Sequence, residues 1–335
     1  MTADRQIVPA GDTGLAVRAI ELAKRAQSDA TINAYISDFK QYQEWCEGKN
    51  LVALPSLPDQ VALYITHLHT DLHRAPATIR RALTAIRRMH RSADHEVPVN
   101  DFVRSVERGI RRSAGTAQKQ STPITLARLE RIIGSTPTDL LGRRDRALLL
   151  IGWSGALRRS ELVALDVADI DDADEGIVLR LRRSKTDQEG RGRSVPIPFV
   201  AESKLCAVRA LRKWLSLSRI DSGPVFRPVG PAGLDKWFTV TSEKRLSGRS
   251  VSLVVKRRAK DAGYDPILYS GHSLRSGFAT AAAHIGVRDR DIRRITGHRS
   301  AAQLDTYIRE GKAFHNHPLY AMLGSAGQPI GGESV

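Results

Sequence analysis

The sequence predicts a mainly α protein of two domains, a small N-terminal helical bundle and a larger, mainly helical domain that holds one small antiparallel sheet. Three observations predict it. Apolar residues recur at i, i+3, i+4, i+7 spacing through most of the chain. One segment, 176–200, alternates instead, as a strand does. Between the two helical runs the stretch SAGTAQKQSTPIT at 113–125 loses periodicity and gains Ser, Thr, Gly, Gln and Pro, as a linker does. The expected boundaries are a flexible tail at 1–14, the bundle at 15–113, the linker at 114–125, the second domain at 126–325 and a disordered tail at 326–335. A length of 335 residues suits two domains of ordinary size.

The first helix is expected over 28–50, where Ile32, Tyr35, Ile36, Phe39, Tyr42 and Trp45 form one stripe between a Ser-Asp start and a Gly end. The second, 58–72, opens on Pro58 and Asp59. The third spans 77–94 and the fourth 100–115, with no strand pattern between them. In the second domain helices are expected at 125–134, 143–155, 159–165, 200–217, 248–262, 273–286 and 288–296. The alternation IVLRLR breaks at QEGRG and resumes at SVPI, which predicts a β-hairpin or small antiparallel sheet.

Composition narrows the function. The chain carries 52 Lys and Arg against 36 Asp and Glu, a formal charge of +16. That excess points to a polyanionic partner, most simply nucleic acid. Its two cysteines, Cys46 and Cys206, lack disulfide-framework or metal-ligand spacing and read as reduced thiols of a cytosolic protein. No metal or other cofactor is expected. The longest apolar run, ALLLIGW at 147–153, is too short to span a bilayer, so no membrane partner is expected. Neither a P-loop nor a GxGxxG fingerprint is present.

Two basic faces stand out. Between 74 and 91 lie Arg74, Arg80, Arg81, Arg87, Arg88 and Arg91 and no acid, on a helix whose apolar stripe is Ile79, Leu83, Ile86 and Met89. A solvated face normally mixes signs, so phosphate contact is the favoured reading, with Lys40 counted beside these arginines. The second face is on 245–263, where Arg249, Ser252 and Lys256 fall one turn apart. An Arg near a helix start suits a guanine edge in a major groove, but plain surface charge fits the same residues equally well.

The polar groups that could do chemistry are few. HSLR puts His272 and Arg275 three apart, on one helix face. LRRSEL places Arg158 before a helix, with Glu161 three residues on, and a structural Arg–Glu pair would explain both. Lys185 in SKTD lies at a strand end, where most lysines are solvated. His298 follows Gly297, and Tyr307 lies nine residues later, at a spacing that core tyrosines also show. Each signal is weak alone; their order and spacing are not.

In that order, R…K…HxxR…GH…Y, the chain resembles the tyrosine recombinases of the phage integrase family over essentially its whole length. LRRSEL resembles the family's first arginine box, SKTD its hairpin lysine, and HSLR, GH and TY its second box and nucleophile. SGHS at 270–273, TYIR at 306–309 and LSGR at 246–249 are most similar to the Cre-like members, although those carry Trp where this chain has His298. The resemblance implies a SAM-like core-binding domain and a catalytic domain that together clamp DNA. It implies site-specific cleavage and rejoining of strands through a 3′-phosphotyrosyl link and a Holliday junction, without ATP, metal or other cofactor.

On this resemblance Tyr307 is the nucleophile, Arg158, Arg275, His272 and His298 hold the phosphate, Lys185 protonates the leaving oxygen, and Glu161 orients Arg158 or His272. The small residues Gly271, Ser273, Ser276 and Gly277 are expected to let DNA approach closely. Phe314, Leu319, Met322 and Leu323 make an apolar face on a terminal helix, for which exchange into a neighbouring protomer is expected over packing at home. The implied partner is double-stranded DNA with inverted-repeat sites, bound by a dimer per site and a homo-tetramer overall, with accessory proteins a further possibility. The setting is the cytoplasm, in a bacterial, phage or plasmid context. Two competing readings are a type IB topoisomerase-like relaxer and a non-catalytic DNA-binding protein of the same fold.

Overall fold

The computed structural model describes residues 29–114, 121–182, 192–232 and 237–297, together with Asp305, Tyr307 and Leu319. The chain divides into two compact units, residues 1–119 and 120–335. The expected tails at 1–14 and 326–335 lie outside the described residues.

The first unit is built from α1 (Asp29–Glu47), α2 (Pro58–Thr70), α3 (Pro76–Ser92) and α4 (Asp101–Ser113). Its helices begin where the chain provides for the free N–H groups. Pro58 and Pro76 stand in the first turns of α2 and α3, and the Asn100 side chain accepts the Val103 N–H at 3.1 Å to cap α4. α1 lies on α3 and α2 on α4, and Tyr42, Ile65, Ile79, Leu83, Ile86 and Val103 are buried between them. Each such side chain contributes about 1.5–3 kcal/mol on leaving water.

His90 is fully buried in this core. Its Nε2 accepts the Ser56 N–H at 3.0 Å, so the ring proton sits on Nδ1 and is donated to the Ile86 carbonyl at 2.8 Å. Burial pushes the imidazole below its ordinary pKa. The unfolded chain takes up a proton near pH 6.5 and the folded one resists until lower pH, so stability falls as pH drops through that window. The expected result is an N-terminal unit that melts at lower temperature at pH 5.5 than at pH 7.5, with His90→Gln weakening the difference; equal pH dependence in both proteins would count against this origin.

The second unit contains α5 (Leu126–Gly134), α6 (Leu140–Ser154), α7 (Arg159–Ala164), β1 (Ile170–Ala173), β2 (Gly176–Leu181), β3 (Arg193–Pro198), α8 (Ala207–Ser218), β4 (Val229–Ala232), β5 (Trp237–Val240), α9 (Gly248–Asp261), α10 (His272–His284) and α11 (Asp289–Thr296). α6 is the central helix. Ala147 to Gly152 are buried in succession, so it is covered on all sides, by α8 and α10 among others. Asp139 caps it by accepting the Gly142 N–H at 2.7 Å. The sheet is antiparallel in the order β1-β2-β3, with Leu179 opposite Ile170 and Val195, and its inward residues Ile177, Leu179, Val195 and Ile197 join the core.

The alternating segment forms β2 and β3 of the expected small antiparallel sheet, with β1 as its third strand. Three expectations are corrected here. A second hairpin, β4–β5, lies where none was expected. The helix expected from residue 200 begins at Ala207, because residues 201–206 form turns that end on the Cys206 cap. The expected linker at 114–125 is too long, because its last residues belong to the second unit: Thr122 N–H donates to Leu268, Ile124 N–H donates to Ser273, and Ile124 is fully buried.

Candidate active site

Four segments of the second unit bring charged side chains together. The first is the turn from α6 into α7. Ala156 adopts φ 46°, a left-handed conformation costly for an L residue, at roughly 1 kcal/mol or more. That turn aims the Ala156 carbonyl at Arg275, whose Nη1 donates to it at 2.9 Å. Arg158 then stands just before α7. Its Nη1 donates to Glu161 Oε1 at 2.6 Å, and its backbone N–H donates to Oε2 at 2.9 Å.

The second segment is the start of α10. His272 and Arg275 share a face there, as their spacing requires. Arg275 is 2% exposed, and its Nη2 is buried without a hydrogen-bond partner among the described residues. Burial, with the charge of Arg158 added, pushes its guanidinium down to about 9. A buried cation with a spare donor is costly unless an anion comes to it.

The third segment is Tyr307. Its Oη lies 2.6 Å from His272 Nε2, and its half-buried ring tilts over the imidazole at 5.9 Å between centroids. The ring packs with Phe278 and Val287 beside the buried Ala279, Ala283 and Ile292. Local burial, then the charges of Arg275 and Arg158, lower the His272 pKa, although solvent reaching this exposed side chain screens the effect. The imidazole is therefore neutral near pH 7.

The fourth segment is β3, which brings in a residue that sequence reasoning missed. Arg193 Nη2 donates to Glu161 Oε2 at 3.0 Å, and Nη1 donates to the Ile295 carbonyl. Burial would raise the Glu161 carboxyl, but Arg193 and the hydrogen bonds from Arg158 outweigh it, and the group lies below the ordinary range. Glu161 thus serves Arg158, one of its two expected partners, and Arg193 in place of His272. Arg158 and Arg193 hold one carboxylate between them, and the buried Arg275 adds a third guanidinium nearby, which leaves the site net positive.

Lys185 and His298 lie outside the described residues. The residue before His298, Gly297, is described: its φ of 64° ends α11, and its carbonyl accepts Arg158 Nη2 at 3.5 Å. The small residues of the HSLR box do not act as expected. A Cβ on Gly277 would lie 2.0 Å from the Ile124 carbonyl oxygen, and Ser273 and Ser276 are buried, so their smallness seats α10 against its own unit. Gly271 is likewise pressed by Arg159, at 3.2 Å from where its Cβ would stand.

The basic faces are reshaped as well. The arginines of α3 have no acid near them in sequence, but folding supplies two. Asp38 of α1 takes Arg81 at 2.6 and 2.9 Å, and Glu107 of α4 takes Arg80 at 3.4 Å. Arg88 lies over the Tyr35 ring at 5.8 Å. Arg87 and Arg91 have no acidic partner among the described residues, and Lys40 pairs loosely with Glu44 at 3.8 Å. On α9, Arg249 is exposed and Ser252 and Lys256 are half-buried on one side of the helix. Of the terminal apolar residues, Leu319 is described and is 51% exposed; Phe314, Met322 and Leu323 lie outside the described residues.

Comparison with known proteins identifies the family. The model of the phage integrase family matches residues 123–313. An integrase/recombinase XerD homolog of Selenomonas ruminantium is 34% identical over 313 residues, covering 92% of this chain and 89% of that protein. A tyrosine recombinase XerD of Mycobacterium tuberculosis is 28% identical, covering 85% of this chain and 88% of its own. Among solved structures, the XerH site-specific recombinase bound to a palindromic difH substrate has a TM-score of 0.61 at 17% identity, covering 90% of this chain and 81% of that one. A lambda integrase dimer bound to a COC′ core site has a TM-score of 0.57 at 19% identity, covering 88% and 76%. These likenesses support the family without singling out its Cre-like members. With the family's segment matched across more than half its length and a relative at 34% identity, the chain belongs to the phage integrase family and is a site-specific tyrosine recombinase.

Proposed function

We propose that Tyr307 breaks a DNA strand by attacking a backbone phosphate, and that His272 takes its proton. The observation that carries this is the 2.6 Å contact between Tyr307 Oη and His272 Nε2 beside two arginines. A phenol with an ordinary pKa of about 10 is a poor nucleophile at neutrality. A neutral imidazole in hydrogen-bond contact removes its proton as the oxygen–phosphorus bond forms. The bond from phosphorus to the 5′-oxygen breaks, and Lys185 gives that oxygen a proton. The products are a 3′-phosphotyrosyl link and a free 5′-hydroxyl. A 5′-hydroxyl from a second duplex then reverses the step, so the link conserves the energy for rejoining and ATP is not consumed.

Negative charge grows on the phosphoryl oxygens in this step. Arg275, with its spare buried Nη2, and Arg158, held by Glu161, are the groups placed to meet it. His298, after the α11 cap, is the further donor. The first unit serves as the core-binding domain, with Arg87 and Arg91 on phosphates, while Arg249, Ser252 and Lys256 of α9 face the bases. An apolar groove of about 590 Å³ lined by Trp153, Phe278, Ile285 and Ile295 suits the terminal segment carrying Phe314, Leu319, Met322 and Leu323 from a neighbouring copy. Such exchange would assemble two copies per inverted-repeat site and four per synapse, in the cytoplasm.

The test is a trap on nicked duplexes drawn from the DNA flanking the gene, without added metal. A covalent protein–DNA band is expected, with the phosphate mapped to Tyr307 and two copies per site by sedimentation. Tight binding with no covalent band on any duplex would sink the catalytic reading.

A further inference from the structure

Arg193 stands against the phosphate clamp without a part in the scheme above. It opens β3, just past the hairpin that carries Lys185, yet its side chain is only 18% exposed. Most hairpin arginines are solvated; this one is turned inward. Its Nη2 holds one oxygen of Glu161 at 3.0 Å while Arg158 holds the other at 2.6 Å. Its Nη1 donates to the carbonyl of Ile295 in the last turn of α11. Two residues on, a Cβ at Gly297 would lie 3.1 Å from Arg193 Nε, so the guanidinium fills the space beneath that helix cap. The Gly297 carbonyl faces Arg158 Nη2 at 3.5 Å, which closes a ring through Arg158, Glu161, Arg193 and the α11 terminus.

We infer that Arg193 is a positioning residue for strand cleavage: it fixes the Glu161 carboxylate against Arg158 and ties the lysine-bearing hairpin to the α11 cap that precedes His298. The inference rests on the recombinase reading above. Its physical content is a division of labour. One carboxylate shared between two guanidiniums leaves Arg158 with donors to spare for phosphate. Without Arg193, Glu161 has Arg158 alone, and burial raises its pKa. Lysine at 193 keeps the charge but cannot reach both partners with a planar fork.

The experiment compares wild type, Arg193→Lys and Arg193→Met on the nicked duplex that traps the wild-type adduct, with binding measured by band shift and folding by melting. The expected result is cleavage slowed about 100-fold in Arg193→Met and about 10-fold in Arg193→Lys at unchanged binding, as misplacement of a clamp group gives. The Glu161 carboxyl, read by ¹³C NMR and assigned with Glu161→Gln, should titrate higher in Arg193→Met, because it has lost one of its two guanidinium partners. Wild-type cleavage in either variant, or an unmoved Glu161 titration, would overturn the inference. Should Arg193→Met fail to fold, the lysine variant alone decides by its rate. A wild-type protein that forms no adduct strikes the recombinase reading instead, and the Glu161 titration still decides whether Arg193 governs that carboxylate.

Discussion

Tyr307→Phe is expected to form no covalent adduct on a duplex that traps the wild type, a loss of at least about 10⁴-fold, while binding that duplex with unchanged affinity. The substitution removes one oxygen and leaves the ring. The ring contacts with His272, Phe278 and Val287 remain while the hydrogen bond between Oη and His272 is lost, so folding stability should fall by only about 1 kcal/mol. Among the described residues of the second unit, Tyr307 is the tyrosine in contact with His272. Tyr269, close to the HSLR box, is 3% exposed, and burial pushes its phenol up. The companion His272→Gln keeps a hydrogen-bonding partner and loses the base, with an expected fall of roughly 10²–10⁴-fold. Wild-type cleavage should decline as pH falls and the imidazole protonates, below its ordinary pKa of about 6.5 because His272 is shifted down. That limb should vanish in His272→Gln. An adduct persisting in Tyr307→Phe would mean a different nucleophile.

The helices were legible because their signals are local. Asn100 and Ser247 cap α4 and α9 at the expected starts, each side chain accepting a backbone N–H three residues on, while α6 opens at Leu140, three residues before its expected start, on the Asp139 cap. The short strands were not. β1 reads IDDA and β4 reads VGPA, four residues each with acids, Gly or Pro, and neither has room to show a period of two. They exist because β2 and β5 offer partners, a tertiary fact.

The site divides in the same way. HxxR on one helix face is a local pattern, and His272 and Arg275 do share that face. What decides their chemistry arrives from far along the chain: Ala156 at Arg275, Tyr307 at His272, and Arg193 at Glu161, 32 residues from its partner. Arg193 stood among the arginines of GRGRS, where composition gives no reason to choose one. The available signal was its register: it opens the strand opposite Leu181, so its neighbours Val195 and Ile197 turn inward and it does too. The α3 arginines show the converse, because their unmixed sign holds only along the sequence; Asp38 and Glu107 come from other helices.

Asp145→Ala is expected to be the most damaging substitution away from the chemistry, costing about 3–5 kcal/mol. Asp145 is fully buried between Arg144 and Arg258, themselves 5% and 4% exposed. Arg144 donates to one carboxylate oxygen at 2.7 and 3.0 Å, and Arg258 to the other at 2.7 and 2.8 Å, while Asp261 takes a further Arg258 donor at 2.9 Å. Alanine would leave two buried guanidiniums with little besides Asp261 to offset them. For a unit of this size the loss is a drop of roughly 10 °C in its melting transition. Arg258 lies on α9 and Asp145 on α6, so the same change frees the helix carrying Arg249 and Lys256 from the central helix, and DNA affinity should fall with stability. Two controls separate charge from packing. Asp145→Asn keeps the shape and loses the charge, and should cost nearly as much as alanine. The triple change Arg144→Met, Asp145→Leu, Arg258→Met removes the three buried charges of this cluster, leaves Asp261 exposed at the surface, and should regain most of the stability. A triple variant as unstable as Asp145→Ala would show that the cluster is held by shape, with the ionic contacts incidental to it.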